Sequence, residues 1–310
     1  MATAAHRQCC RVTVSVEVLQ QQTSLTPEEP DEAIERLMAR GPNIDMSPEE
    51  EVWARSEALE GAVQASAATG MGESYVKRLR EVIGRRWNVF RRGLRWGDPP
   101  ARVEPLRVTL KPGARPVKAR LRVYNPIKTA WLAACMASLA ALGLVFLSLQ
   151  AMWASAAMST PKKGFRMVSD FRAANQQVEK LPGVMPNQEA IMAKLSEARV
   201  NGTLDFMQGY WQCPLAPDAQ EIFMIVTPGM YKPTRAPQGI LNATSYYQAT
   251  LTRVLEGLNC MVWVDDVIYW GLDEPDLLNT LDLILERLEE VGLYAAAHKY
   301  TFFETSITWC

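Results

Sequence analysis

Two periodicities divide the chain. Val12, Val14, Val16 and Val18 alternate with polar neighbours over 11–19, which predicts a single strand. Thr26-Pro27-Glu28-Glu29 and Ser47-Pro48-Glu49-Glu50 each set a hydroxyl cap before a proline and acids, so two surface helices are expected there. The first is closed by Gly41-Pro42 and the second fades near Gly70. Both carry thin apolar faces, which predicts loose packing. A basic amphipathic helix is expected from about Glu73 to Arg86, then a proline-rich extended segment from Asp98 to Pro116, with a domain boundary near residue 100. Further on, Asn187 caps a helix bearing Ile191, Leu195 and Ala198, and Thr244 opens one bearing Tyr247, Leu251, Val254 and Leu255. Pro275 starts a third, with Leu278, Leu281, Ile284, Leu285, Leu288 and Val291 on one stripe and Gly292 as its C-terminal stop. Phe165 to Arg172, Thr203 to Phe206 and Phe302 to Trp309 read as strands.

Two stretches resist a plain reading. Trp131 to Leu149 carries no charge, and by length and hydropathy it qualifies as a transmembrane helix flanked by lysines. The competing reading is a buried helix ending near Ala141, stopped by Gly143 and followed by a short strand. The other is Met261-Val262-Trp263-Val264-Asp265-Asp266-Val267-Ile268-Tyr269-Trp270, which predicts strand, tight turn, strand. Adjacent carboxylates repel, so they call for a cation or a shared proton. Aspartate is also an ordinary turn residue, and on this decapeptide alone a plain hairpin stays open.

Composition narrows the class rather than the function. At 310 residues and net charge −1, the chain has material for about two domains, and bulk charge implies no partner. Acids crowd residues 28–60 and bases crowd 77–95, compatible with a nucleic-acid-facing patch or with solvated helix faces. The six cysteines form no CxxC pair and only two histidines exist, which argues against a zinc site and for a reducing compartment. With no apolar leader in the sequence, a cytoplasmic or nuclear location is expected.

Five ordered segments resemble the reverse transcriptases, above all those of gypsy-type LTR retrotransposons. They are Lys162-Lys163-Gly164-Phe165-Arg166 continuing to Asn175; Leu204-Asp205-Phe206 through Gly209-Tyr210-Trp211-Gln212; Ala236-Pro237-Gln238-Gly239 through Gln248; Val264-Asp265-Asp266-Val267 in the place of the YxDD box; and Gly292-Leu293 through Lys299 to Phe303. The resemblance spans roughly 104–310. It implies an α+β fold of fingers and palm, with an antiparallel palm sheet packed on helices, preceded by a mostly helical, loosely ordered N-terminal region. On that reading 1–72 are a partly disordered linker, 73–103 a basic helix and connector, and 104–310 fingers and palm, ending before a thumb. Leu142-Gly143-Leu144-Val145, Trp153-Ala154-Ser155 and Pro161-Lys162-Lys163-Gly164 follow the family order around the apolar stretch, which favours the buried helix.

What the family implies for chemistry is RNA-directed DNA polymerisation: nucleotidyl transfer to a primer 3′-hydroxyl with two Mg2+ ions, or Mn2+ in their place. The resemblance assigns Asp205 and Asp265 as principal metal ligands with Asp266 supporting, and Arg166 with Lys162 or Lys163 over the triphosphate. It puts Tyr210 under the sugar, Gln238 beside the incoming nucleotide and Lys299 at the edge near phosphate, while Asp170 and Arg172 brace the fingers. Deoxynucleoside triphosphates and an RNA or DNA template with primer are the expected partners. A non-catalytic remnant that binds nucleic acid, and a single-span membrane protein built on 131–149, are the alternatives. Trp263 replaces the usual YxDD tyrosine and Thr244 the usual proline.

Overall fold

The computed structural model describes residues 48–161, 165–183, 195 and 198–306. The strand at 11–19, the helix after Thr26, nearly all of the helix expected from Asn187 and the last residues of the chain lie outside them. The described residues form two sheets with helices packed on both, an α+β architecture.

The first helices are α1 (Pro48–Ala68) and α2 (Glu73–Arg85), followed by a short strand β1 (Phe90–Arg91). Loose packing was expected of the helix after Ser47, but its Leu59 and Val63 are buried in one core with Met71, Leu79, Val82, Phe90 and residues of the palm sheet. A thin stripe suffices because the partner surface is broad. Phe90 meets Phe302 edge-on at 6.0 Å. The basic cluster has a protein partner as well. Arg86 reaches Asp282, Glu286 and Glu289 at 3.1, 2.8 and 3.0 Å, and Arg85 reaches Asp282 at 2.8 Å. Acids spaced by one helical turn thus take up part of the positive charge that sequence reading left between solvent and nucleic acid.

The apolar stretch resolves into α3 (Pro126–Ala141) and β2 (Val145–Leu147). Asn125 caps α3, its side chain accepting from the Lys128 N–H, and Pro126 takes the first turn. Gly143, at φ +72°, turns the chain out of the helix. Trp131, Leu132, Cys135, Met136 and Leu139 are buried against the fingers. Among the described residues no helix is long and apolar enough to cross a membrane.

The fingers sheet adds β3 (Ser155–Pro161), β4 (Phe165–Ser169), β6 (Ile225–Val226) and β7 (Met230–Pro233), in the order β2-β7-β6-β3-β4. Strand β5 (Val200–Phe206) belongs to the palm, with β8 (Cys260–Trp263), β9 (Asp266–Gly271) and β10 (Ala295–Glu304), in the order β1-β10-β5-β9-β8. Further helices are α4 (Arg172–Gln177), α5 (Gly209–Gln212), α6 (Pro217–Ile222) and α7 (Ala243–Val254). Under the palm lies α8 (Glu274–Val291), its Leu277, Leu278, Leu281, Ile284, Leu285 and Leu288 buried, capped by Asp273 and ended by Gly292 at φ +71°.

Candidate active site

The palm strands bring separate carboxylates together. Strand β5 runs antiparallel to β9, and the register sets Asp205 opposite Asp266. Across the hairpin Asp266 faces Trp263, which leaves Val264 and Asp265 as the two turn residues. Aspartates about sixty positions apart in sequence therefore share one sheet end.

The turn is strained. Val264 adopts φ +56°, a left-handed conformation that a β-branched residue rarely takes. Gln248 of α7, 2% exposed, holds it there. The Val264 N–H donates to Gln248 Oε1 at 2.8 Å, while Gln248 Nε2 donates to the Val262 carbonyl at 3.0 Å and to Thr252 Oγ1 at 3.1 Å. From the other side the Phe206 N–H donates to the Asp265 carbonyl at 3.1 Å. Backbone bonds thus pin the turn while the Asp265 and Asp266 residues stay exposed.

Burial raises the Asp205 and Asp266 carboxyls above the ordinary carboxylate range, and the charge of Asp265 raises both further. Lys299 of β10 opposes this, its ammonium 3.1 Å from Asp205 Oδ2. Three oxygen-donor side chains that repel one another suit a hard divalent cation better than a thiol- or imidazole-seeking metal. As they stand, no three His, Cys, Asp or Glu side chains among the described residues are gathered closely enough to hold an ion. One Asp205 oxygen is turned to Lys299 instead.

Tyr210 stands beside these acids. Gln208, in a left-handed conformation at φ +48°, starts α5, and the Tyr210 ring comes to 5.1 Å from that of Tyr247. Its hydroxyl lies 3.3 Å from Thr244 Oγ1, and burial first, then the Asp265 charge, pushes its pKa up. Gly209 is obligatory here, because a Cβ would sit 2.2 Å from the Tyr247 hydroxyl. Gln238 lies exposed on the loop between β7 and α7. Asn175 clasps that loop, donating to the Gly239 carbonyl at 2.9 Å and accepting from the Leu241 N–H at 3.0 Å.

Residues 159–310 match the family described as reverse transcriptase (RNA-dependent DNA polymerase). That segment belongs to the reverse transcriptases. Over 157 residues, 49% of its length, the chain is 34% identical to the retrovirus-related Pol polyprotein from transposon gypsy of Drosophila melanogaster, of which it spans 15%. It is 28% identical over 157 residues to that of transposon 412 from the same organism, 49% of this chain and 12% of that polyprotein. The chain thus spans only a small part of the length of either polyprotein. Among solved structures, a foamy viral protease-reverse transcriptase in complex with double-stranded DNA superposes with TM-score 0.72, covering 82% of this chain and 44% of that one. At 20% identity this establishes the shared fold.

Asp205, Asp265, Asp266, Tyr210 and Lys299 come together at one end of the palm sheet, and Gln238 lies on the loop between β7 and α7. Arg166 stands opposite Thr160 in the β3–β4 hairpin. Its side chain, with Lys162 and Lys163, lies outside the described residues. Asp170 and Arg172 pair with each other: Arg172 grips both oxygens of Asp170 at 2.7 Å, and Arg122 adds a contact at 2.8 Å. The Arg172 guanidinium holds the Asp170 carboxyl down at about 2. A depressed carboxyl stabilises the fold in full above its unfolded value near 4 and loses that contribution as pH falls through about 2. Urea unfolding of Asp170→Asn should therefore show a deficit at neutral pH that narrows as pH drops from about 4 toward 2. A deficit of constant size would assign it to packing instead.

Sequence reading gave Gln248 and Gln212 no role. Gln212, 2% exposed, donates to the Met207 and Tyr294 carbonyls at 2.6 and 2.9 Å and accepts from the Tyr294 N–H at 2.6 Å. It ties α5 to the start of β10. The available signal was an amide on the core side of a short helix, where only a fully bonded glutamine is tolerated.

Proposed function

We propose that this chain carries the fingers and palm of an RNA-directed DNA polymerase, part of a retrotransposon polyprotein, acting on deoxynucleoside triphosphates and a primed RNA or DNA template. The observation that carries the reading is the register of Asp205 against Asp266 with Asp265 on the adjoining turn, beside Tyr210. Asp205 and Asp265 would hold the divalent ions, with Asp266 assisting. When bound, Mg2+ supplies Lewis-acid activation of the primer hydroxyl and neutralises charge on the leaving pyrophosphate. The protein's own work is to position. The turn pinned by Gln248 fixes Asp265, and the β5–β9 ladder fixes Asp205 and Asp266. Tyr210, held by Tyr247 and Thr244, offers a rigid ring against the sugar, with no room left for a 2′-hydroxyl. Gln238 would border the base, and Arg166 with Lys162 or Lys163 would meet the triphosphate. Proteins of the same fold have been solved in complex with double-stranded DNA and with an RNA/DNA hybrid, which supports a duplex partner here.

Primer extension on an RNA template tests this directly. Wild type should add deoxynucleotides in a template-dependent, Mg2+-dependent way and reject ribonucleotides. Tyr210→Ala should keep deoxynucleotide addition but lose about a hundredfold of that rejection, a difference of roughly 2–3 kcal/mol. Template-directed addition that never appears would favour a non-catalytic remnant. Unchanged sugar discrimination would remove Tyr210 from the nucleotide site.

A further inference from the structure

Lys299 reaches Asp205 from the solvent side. Its side chain is 57% exposed whereas that of Asp205 is 19% exposed, yet the ammonium lies 3.1 Å from Oδ2. Burial does not force this contact on the lysine. What draws it is the charge of the site: three carboxylates at one sheet end, two of them in cross-strand register. The strand order helps, since β10 lies directly beside β5, so a long side chain on one strand spans to a carboxylate on the next. Lys299 contacts one of the two oxygens that Asp205 could offer a divalent ion. An ammonium and a dication cannot share one carboxylate oxygen without strong mutual repulsion.

We propose that Lys299 is a resident counter-ion of the metal site, holding Asp205 while no ion is bound and giving way when a divalent ion enters. The exchange keeps the three carboxylates close together before metal arrives. It also weakens metal binding, because each entering ion must first displace the ammonium. This rests on the assignment of Asp205, Asp265 and Asp266 as the metal-holding residues.

Calorimetric titration of the chain with Mn2+ alone, without nucleic acid, tests the exchange. Lys299→Met should bind Mn2+ about threefold to tenfold more tightly than wild type, the ion no longer competing with an ammonium. Lys299→Arg, which retains a cation, should stay within about twofold of wild type, and thermal melts of both variants show that the fold is retained. An amine-reactive reagent read by mass spectrometry gives a second measure: labelling of Lys299 in the wild type should rise when Mn2+ is added. Unchanged or weaker Mn2+ binding by Lys299→Met, or labelling that does not respond to Mn2+, overturns the exchange. Asp265→Asn separates that failure from a deeper one. If it loses Mn2+ binding while Lys299→Met matches wild type, only the exchange is wrong. If it binds like wild type, the metal assignment falls and the exchange with it.

Discussion

Asp265→Asn should cost at least a hundredfold to a thousandfold in nucleotide incorporation, about 3–4 kcal/mol of transition-state stabilisation, while leaving the fold intact. The two halves of that expectation have separate causes. Asparagine is nearly isosteric with aspartate, and the bond that anchors this position to β5 uses the Asp265 carbonyl, which the substitution keeps. The residue is exposed, so stability should move by no more than about 0.5 kcal/mol. Any movement should be upward, because the Asp265 charge raises the carboxyls of both Asp205 and Asp266. Activity is another matter, since an amide oxygen binds a hard dication far more weakly than a carboxylate does. Primer extension rates and thermal melts on the same preparation read both effects. Incorporation within about threefold of wild type, with an unchanged melt, would sink the role given to Asp265. A large drop in melting temperature would mean that the turn depends on the side chain after all.

Much of this site was legible in the sequence because its chemistry lies in short contiguous blocks. The hairpin around Asp265-Asp266 was readable from β-branched and aromatic runs on either side of two acids, and the Leu stripe of α8 from its period. What could not be read was contact across distance. Nothing local shows that Asp205 lies opposite Asp266, because register between distant strands is set by the whole sheet. The thin apolar face of α1 looked too weak to pack, yet a broad palm surface completes it. The basic run at 77–95 was left open between a nucleic-acid patch and solvated helix faces, because the partners of Arg86, namely Asp282, Glu286 and Glu289, lie some two hundred residues later. The uncharged stretch at 131–149 was ambiguous by hydropathy alone, and the buried helix stopped at Gly143, which the flanking motifs favoured, is what forms. Hydropathy registers apolar content alone, whereas the structure turns on one glycine at φ +72° that ends the helix at 16 residues.

Gln248→Leu should be the most damaging single change outside the acids. Leucine matches glutamine in size, so packing of α7 survives, but three hydrogen bonds go. The Val264 N–H and the Val262 carbonyl are left without their partner in a low-polarity setting, at about 1–3 kcal/mol for each group. The left-handed Val264, a conformation that costs about 1–3 kcal/mol, also loses the bond that enforces it. Melting temperature should fall by roughly 2–4 °C for each kcal/mol lost. The turn should then relax and carry Asp265 out of place, so kcat falls while KM for the deoxynucleotide holds, because the nucleotide meets other residues. A double-mutant cycle isolates the cause. Val264→Gly removes the backbone conflict, since glycine enters the left-handed region freely. In that background Gln248→Leu should cost less than in the wild type, with a coupling of about 0.5–3 kcal/mol. Strictly additive costs would show that Gln248 merely fills space beneath the hairpin. Coupling in both stability and kcat would show that a buried amide on α7 maintains the strained turn on which the exposed acids are mounted.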